Sequence, residues 1–285
     1  METIVPHAPV PVRVTLAAPN LLRIAIGDRP AGAASSYLSA QPLTAAATLA
    51  TRLDPGAIVA TEDGGSLLFS NTAGRPLLRL DLASTTLTPT LRLRFEFLGE
   101  QHFYGLGEGG PQFDRLGAAR RLWNFQSNRG HGADIAVPLL LSQAGYALFF
   151  DNSAAARIEP ADVYEGFWFD YTAEAGPLDL YLISGSDLRA VIAGVADLLG
   201  HAAMPPRWAL GYMQSSRHFD GPEEVQALAN TLREKRLPCD VLIFLSTYGT
   251  ERGLNVQSAI CVFGPTSSLI PPPYWGRSTT RISAC

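Results

Sequence analysis

A run of aromatic rings beside carboxylates is the first candidate for chemistry. Residues Tyr164–Tyr171 read Tyr-Glu-Gly-Phe-Trp-Phe-Asp-Tyr. Aromatic rings stack on the apolar faces of sugars, and paired carboxylates are the groups that glycoside hydrolysis requires. However, Phe167, Phe169 and Tyr171 occupy alternate positions, as in a sandwich strand with rings on both faces. Core or interface packing is therefore the favoured interpretation, and a sugar contact is the alternative.

A glycine-rich segment, Gly105–Gly110, looks at first like a dinucleotide-binding loop. Its spacing is G-x-G-x-G, whereas such loops have G-x-G-x-x-G and open a helix. Pro111 follows it, and no helical periodicity begins there. The sequence therefore predicts a tight turn that leaves a strand, and it argues against nucleotide binding.

Two polar regions occupy positions where functional side chains commonly occur. Residues 120–132 form a loop punctuated by glycine, and such loops carry function more often than strands do, although a plain surface loop is the favoured interpretation. The segments Gln214–Phe219 and Ser246–Tyr248 each follow an apolar strand. In a β/α barrel the carboxyl ends of the strands line the active site, so fold logic assigns both segments to one site. Taken singly, each of these residues could equally belong to a solvated loop.

The elements that must position these residues are mostly strands. Up to about residue 185, short segments alternate apolar with polar or small residues, and turn signals separate the early segments. Leu78–Leu82 and Leu91–Phe97 show the clearest period of two. Many short strands, frequent turns and almost no helical periodicity predict a β-sandwich or a barrel.

Two helices are predicted after these strands. Ser186 is expected to cap the first, whose apolar residues between Leu188 and Leu199 share one face, and Gly200 ends it. The second begins at Pro222 and ends near Arg236, with acidic residues first and basic residues last. It lies between two apolar strands. This order predicts a parallel β-α-β unit with a right-handed crossover.

Composition excludes several classes of protein. The 285-residue chain has a net charge of −4 and no basic run, which argues against nucleic acid as a partner. No apolar stretch reaches the roughly 18 residues that span a bilayer, and the first residues lack signal-peptide features, so we expect a cytoplasmic protein without a membrane partner. Three irregularly spaced cysteines and five scattered histidines predict neither disulfides nor a metal site, and no cofactor is expected.

The last part of the chain differs in character from the rest. No Asp or Glu follows Glu251, and residues 259–285 contain Pro271–Pro273 and two cysteines without a period of 2 or 3.6. We expect residues 256–285 to be an aberrant or disordered tail, for which a frameshift is one explanation.

Several motifs follow one another in a consistent order along the chain. They are Phe103–Glu108, Trp123-Asn124 with the loop behind them, Phe149–Asn152, Gly176–Ile183, Pro205–Tyr212, Glu223–Val225 and Leu237–Val241. In this order they resemble glycoside hydrolase family 31, the family of α-glucosidases and α-xylosidases, and Phe103–Glu108 resembles its FYGLGE-type motif. The resemblance covers roughly residues 85–255.

This resemblance implies a mainly β fold. It comprises a mutarotase-like β-sandwich at residues 1–200, followed at 205–255 by the first strands and helix of an incomplete (β/α)8 barrel. It also implies cofactor-free, retaining hydrolysis of O-glycosyl bonds in an α-linked oligosaccharide or glycoside, above all an α-glucoside. In the family, one Asp attacks the anomeric carbon and another protonates the leaving oxygen, and both come from barrel strands beyond the second.

The chain departs from the family pattern in these catalytic groups. Because no carboxylate follows Glu251, we expect no catalytic residue here and an inactive, truncated enzyme. Leu245 stands where many members carry a substrate-binding Asp. Asn128 and Arg217 approximately match family positions near the sugar, and we predict them as substrate-binding residues. The alternative function is a non-catalytic sandwich module that binds carbohydrate or a protein partner.

Overall fold

Strands are the predominant secondary structure in the computed structural model, which describes residues 2–5, 8–28, 58–71, 73–99, 102–109, 112–124, 135–160, 167–216 and 222–244. The chain divides into two compact units, Met1–His201 and Ala202–Cys285. In chain order the elements of the first unit are β1 Glu2–Ile4, β2 Val12–Ala18, β3 Leu21–Ile26, β4 Ile58–Asp63, β5 Ser66–Asn71, β6 Pro76–Thr86, β7 Leu91–Phe97, β8 Phe103–Gly105, β9 Arg120–Leu122, β10 Leu139–Ser142, β11 Tyr146–Asp151, β12 Ala156–Pro160, β13 Trp168–Ala173, β14 Leu178–Ser184 and α1 Leu188–Leu199. The described strands of this unit form two sheets.

Each sheet has seven strands. The first, sheet A, has the order β1-β2-β3-β14-β11-β10-β8, and the second, sheet B, has the order β4-β5-β6-β7-β13-β12-β9. Every recorded strand pair in both sheets is antiparallel. Some neighbouring strands lie far apart in sequence, such as β7 and β13 in sheet B and β3 and β14 in sheet A. Each sheet therefore depends on pairing between distant parts of the chain. The predicted mainly β sandwich is therefore confirmed.

Apolar side chains from the inner faces of the two sheets form one core. Phe95 of sheet B stacks on Phe169 beside it with ring centroids 4.9 Å apart, and it meets Phe150 of sheet A edge to face at 6.1 Å. Phe150 stacks in turn on Tyr171 at 4.4 Å. These contacts follow from the period of two, because every second residue of a strand points to the same side of its sheet.

A helix covers the outer face of sheet A. The central strands β11 and β14 are buried along their whole length, and Val191, Val195 and Leu198 of α1 pack on residues such as Phe149 and Ile183. The prediction of Ser186 as the cap was wrong. Asp187 is the N-cap, since its Oδ1 accepts the Ala190 amide at 2.8 Å. Gly200 ends the helix with a φ of 99°, as predicted.

The second unit contains the predicted β-α-β segment. After a short 3-10 helix at Arg207–Leu210 come β15 Met213–Ser216, α2 Pro222–Glu234 and β16 Val241–Phe244. Strands β15 and β16 pair in parallel, with Met213 opposite Val241 and Ser216 opposite Phe244. In α2, Val225 and Leu232 are buried, and Leu228 and Leu242 pack against Val225. This arrangement confirms the predicted start of a β/α fold.

No helix within the described ranges has the length and apolar character to cross a membrane.

An ionic cluster occupies the outer face of sheet B. Asp170 is only 6% exposed. Its carboxylate accepts hydrogen bonds from Arg94 Nε at 2.9 Å and Nη2 at 3.1 Å, and from Arg92 Nη2 at 2.5 Å. The three residues share a face because Asp170 lies opposite Arg94 in the antiparallel register. Burial alone would raise the pKa of Asp170, but the hydrogen bonds and positive charges of Arg94 and Arg92 outweigh it and lower the pKa.

Asp170→Asn should lower the free energy of unfolding by about 2 kcal/mol at neutral pH, because it removes the charge that two guanidinium groups share. The folded-state pKa lies below the ordinary carboxyl value of about 4, so the charge stabilises the fold above that pH. That contribution is lost as the pH falls through the lowered pKa. Urea unfolding at several pH values should therefore show the gap between variant and wild type closing below about pH 4.

The exposed pair Asp197–His201 on α1 provides the control for this measurement. Asp197→Asn should change stability by less than about 1 kcal/mol at neutral pH, because an exposed ion pair contributes little. A pH-independent effect of Asp170→Asn would contradict an ionic role for Asp170.

Candidate functional site

A cavity of about 200 Å³ lies in the first unit where the segment after β9 leaves the sandwich. It adjoins the predicted loop at 120–132, for which a plain surface loop was the favoured interpretation and a functional loop the alternative. None of the described residues that line it carries a charged side chain, so this part of the lining offers apolar surface and neutral hydrogen-bonding groups. They are Leu122, Trp123, Asn124, Ala136, Pro138, Asn152, Ser153, Ala154, Ala156 and Tyr171.

One wall of the cavity is formed by the two flanks of segment 125–134, which itself lies outside the described residues. The Asn124 Oδ1 accepts a hydrogen bond from the Ala136 amide at 2.6 Å. The Ile135 carbonyl accepts one from the Glu108 amide at 2.9 Å. Trp123 is 47% exposed beside them, so its ring is available at the surface.

Another part of the lining comes from the segment that follows β11. Asn152 donates through Nδ2 to the Ala175 carbonyl at 2.8 Å and accepts the Ala154 amide at 2.7 Å. Tyr171, which is buried and stacked on Phe150, adds an aromatic surface from the core. Backbone hydrogen bonds therefore fix both asparagine side chains, and the aromatic residues supply apolar surface to the cavity. Across the described chain, no cluster of three or more His, Cys, Asp or Glu side chains could hold a metal ion.

The glycine-rich segment is a turn filled by the protein itself. Gly105 and Gly107 have φ values of 98° and 88°, and a Cβ atom at Gly107 would lie 2.0 Å from the Ile135 carbonyl oxygen. Arg115 donates to the carbonyl oxygens of Gly105 at 3.1 Å and Gly107 at 3.2 Å. Arg120, which is only 6% exposed, donates to the carbonyl oxygen of Glu108. The predicted tight turn is confirmed, and internal guanidinium groups occupy its carbonyl-lined side.

The sequence analysis assigned no role to Arg115 and placed Arg120 in a loop, whereas Arg120 begins strand β9. Arg115 and Arg120 follow the turn within a short polar stretch, and that proximity was the available signal. Asp114 holds the same stretch, because its carboxylate accepts from His102 Nδ1 at 2.5 Å and from the amides of Leu116 and Phe103. Burial alone would raise the pKa of Asp114, but these hydrogen bonds, led by that of Leu116, outweigh it and lower the pKa.

The described part of the aromatic run divides between the core and the surface. Phe169 and Tyr171 face the sandwich interior, as the favoured interpretation predicted, but Phe167 is 61% exposed, and Tyr164–Gly166 lie outside the described residues. Trp168 is on the outer face, where the Arg94 guanidinium carbon lies 3.8 Å from its ring centroid. A cation over that ring face excludes sugar stacking there. Phe169, Tyr171 and the ring face of Trp168 next to Arg94 are therefore unavailable for stacking on a sugar.

The strand ends of the second unit are described only in part. Strands β15 and β16 end level with each other, at Ser216 and Phe244, so the residues that follow them leave from the same edge of the parallel pair. Gln214 accepts a hydrogen bond from the Tyr212 hydroxyl and donates to the Ser215 carbonyl at 2.9 Å.

Both predicted substrate-binding residues, Asn128 and Arg217, lie outside the described residues, as do the predicted segment Ser246–Tyr248, position Leu245 and the tail 256–285. Their roles stay predictions.

Gly107→Ala should destabilise the chain by more than about 2 kcal/mol, because the new Cβ meets backbone atoms that cannot move aside cheaply. Gly117→Ala is the matched control. Gly117 also has a positive φ, 71°, but no atom lies within 4 Å of the position that a Cβ atom would take there, so only the backbone cost of about 1 kcal/mol applies. Denaturant unfolding measures both variants, and equal losses would contradict the close approach at Gly107.

Family comparisons agree with both units. The sequence profile of the Glycosyl hydrolase 31 N-terminal galactose mutarotase-like domain matches residues 12–159, which is more than half of the chain. The profile of the Glycosyl hydrolases family 31 TIM-barrel domain matches residues 202–259. The first match falls on the sandwich and the second on the β-α-β unit, in the order predicted from the motifs.

Two curated relatives are similar at moderate identity. Alpha-glucosidase 2 of Bacillus thermoamyloliquefaciens is 31% identical over 158 residues, which are 52% of this chain and 20% of the relative. The alpha-xylosidase of Saccharolobus solfataricus is 30% identical over 173 residues, or 59% of this chain and 23% of the relative. The chain thus spans about a fifth of the length of these relatives.

Solved structures share the fold at lower identity. A GH31 dextranase of Flavobacterium johnsoniae, complexed with glucose, superposes with a TM-score of 0.71 at 19% identity and covers 88% of this chain and 33% of its own. A GH31 alpha-xylosidase from a soil metagenome, complexed with xylose, has a TM-score of 0.67 at 18% identity, with coverage of 85% and 40%. The profiles, the ordered motifs and the shared fold show that the chain belongs to glycoside hydrolase family 31.

Proposed function

We propose that this chain forms the sandwich and the first barrel strands of a retaining α-glycosidase whose substrate is an α-linked glucoside. The observation that carries the proposal is the consecutive match of the two family 31 domains, first to the sandwich and then to the β-α-β unit. Relatives described as an α-glucosidase and an α-xylosidase support an α-linked neutral sugar as the substrate class. The described part of the cavity lining beside Trp123 carries no charge and is compatible with such a ligand.

The proposal includes the absence of the catalytic pair from this polypeptide. Retaining hydrolysis needs two carboxyl groups about 5 Å apart on either side of one glycosidic bond, and barrel enzymes place them at the carboxyl ends of strands. The described carboxylates of the second unit do not lie at the carboxyl ends of its strands. Glu223, Glu224 and Glu234 are on α2, and Asp240 precedes β16 and so lies at its amino end. No Asp or Glu follows Glu251.

The purified 285-residue polypeptide should therefore release no nitrophenol from aryl α-glucosides or α-xylosides above the rate in buffer. A family 31 α-glucosidase assayed in parallel is the positive control, and circular dichroism of the polypeptide confirms a folded, strand-rich sample. Turnover that co-purifies with the polypeptide and is lost on its removal would contradict this part of the proposal.

We further propose that Asn128 and Arg217 contact the sugar. Asn128→Ala and Arg217→Ala should each weaken the affinity of the polypeptide for maltose or isomaltose about tenfold, since each removes a hydrogen-bonding group. Arg189→Ala, an exposed arginine on α1, is the matched control and should leave the affinity unchanged. Calorimetric titration measures all four proteins. Unchanged affinity in both site variants, or no wild-type binding, would contradict the assignment.

A further inference from the structure

Two aromatic side chains meet at the surface of the first unit beside β8, an edge strand of sheet A. Phe113 is 84% exposed, and its ring centroid lies 5.3 Å from that of Tyr104 at a tilt of 45°. Tyr104 pairs with Leu141 of β10 and the neighbouring Phe103 points into the core, so Tyr104 is on the outer face of the sheet. Contiguous apolar surface of this kind marks a binding site when polar groups adjoin it.

The loop that carries Phe113 is fixed by the two residues that follow. The Asp114 carboxylate accepts two backbone amides, at 3.0 and 3.2 Å, and His102 Nδ1 at 2.5 Å. The Arg115 amide donates to the first carbonyl of β8 at 2.7 Å, and the Arg115 guanidinium donates to the Gln112 carbonyl at 2.6 Å. Phe113 is thus presented to solvent by a loop that is hydrogen-bonded on both sides of it. A group held in this way loses little conformational entropy on binding.

Three polar groups next to the rings have no hydrogen-bond partner among the described residues. They are the Tyr104 hydroxyl, the side-chain amide of Gln112, which precedes Phe113, and Nε2 of His102, which lies two residues before Tyr104. Because His102 Nδ1 donates to Asp114, the neutral ring keeps Nε2 as an acceptor. A hydroxyl, an amide and a neutral imidazole are suitable partners for the hydroxyl groups of a ligand.

We propose that Tyr104 and Phe113, with His102 and Gln112, form a carbohydrate-binding surface on the outside of the sandwich. We call these four residues the ring surface. The ligand is a neutral oligosaccharide, which has apolar ring faces for the two aromatic side chains and hydroxyl groups for the polar ones. The choice of an α-linked glucan rests on the proposed function. The ring surface itself uses neither Asn128 nor Arg217.

Charge and size favour a sugar over a protein partner. Asp114 and Arg115 are the charged residues of segment 112–118; their charges are opposite, and both side chains are bonded to the protein itself. Two aromatic side chains offer about 300 to 500 Å² of contact area at most. A stable protein interface takes about 800 Å² from each partner. The ring surface therefore has the charge and the area for a small neutral ligand.

Substitutions at Phe113 separate ring stacking from general apolar contact. Phe113→Ala should weaken the affinity for maltoheptaose about tenfold, and Phe113→Leu, which keeps apolar volume without a ring, about fivefold. Phe113→Tyr keeps the ring and should stay within about twofold of wild type. Ile192→Ala, which removes an exposed apolar side chain from α1, is the matched control and should leave the affinity unchanged. Because Phe113 is exposed, all its variants should keep the wild-type thermal midpoint.

Calorimetric titration of the full 285-residue chain with maltoheptaose measures these affinities, and sedimentation velocity measures self-association. Loss of affinity in Phe113→Ala and Phe113→Leu, with retention in Phe113→Tyr, supports the ring surface. Equal affinity in all five proteins overturns it, as does the absence of wild-type binding. A change in the sedimentation of Phe113→Ala without a change in its affinity also overturns it, and identifies the rings as a contact between copies of the chain.

Titration of the Asn128→Ala and Arg217→Ala variants with maltoheptaose separates the ring surface from the proposed function. If Phe113→Ala loses affinity while those two variants keep it, the ring surface stands and the two predicted substrate contacts fall. If those two variants lose affinity while Phe113→Ala keeps it, the substrate contacts stand and the ring surface falls.

Discussion

Burial of apolar side chains between the two seven-stranded sheets is the constraint on which the rest of the first unit depends. Phe95, Phe150, Phe169 and Tyr171 come from strands that are distant in sequence, and their rings meet only when both sheets are complete. The same register places Asp170 opposite Arg94 on the outer face. Packing of the interior therefore determines which polar groups can meet outside it, and the ionic cluster is a consequence of the core.

The glycine-rich turn shows how a motif that looks catalytic can be architectural. Its glycines adopt positive φ values and let the backbone approach Ile135 closely, which leaves several carbonyl oxygens pointing the same way. Arg115 and Arg120 satisfy those carbonyls, so the motif needs no ligand to be stable. The turn also contacts Ile135 through the Glu108 amide, next to Ala136 in the cavity lining, and this links a sequence signature of the family to the surroundings of the cavity.

The second unit has a different physical character. A parallel pair of strands is stable when both faces and both edges are covered, and α2 supplies cover through Val225 and Leu232. Apolar side chains such as Met204, Leu210 and Tyr212 remain largely exposed in the described chain. Such exposure is consistent with the family fold, in which further β/α units pack around the first ones.

Much of this fold was determined by the sequence alone, and the physical reason is that its signals are local. The period of two in Leu91–Phe97, the cap and stop residues of the helices and the strand-helix-strand order each depend on neighbours in the chain, and the motifs in their order identified the family. The cap of α1 was misplaced by one residue, because the choice between Ser186 and Asp187 depends on backbone geometry. Only the tertiary structure decided that Trp168 lies beneath Arg94, that Arg115 and Arg120 fill the glycine-rich turn, and that Asn124 reaches Ala136. These contacts join strands and loops brought together by long-range pairing, and no local pattern records which distant partner a side chain will meet.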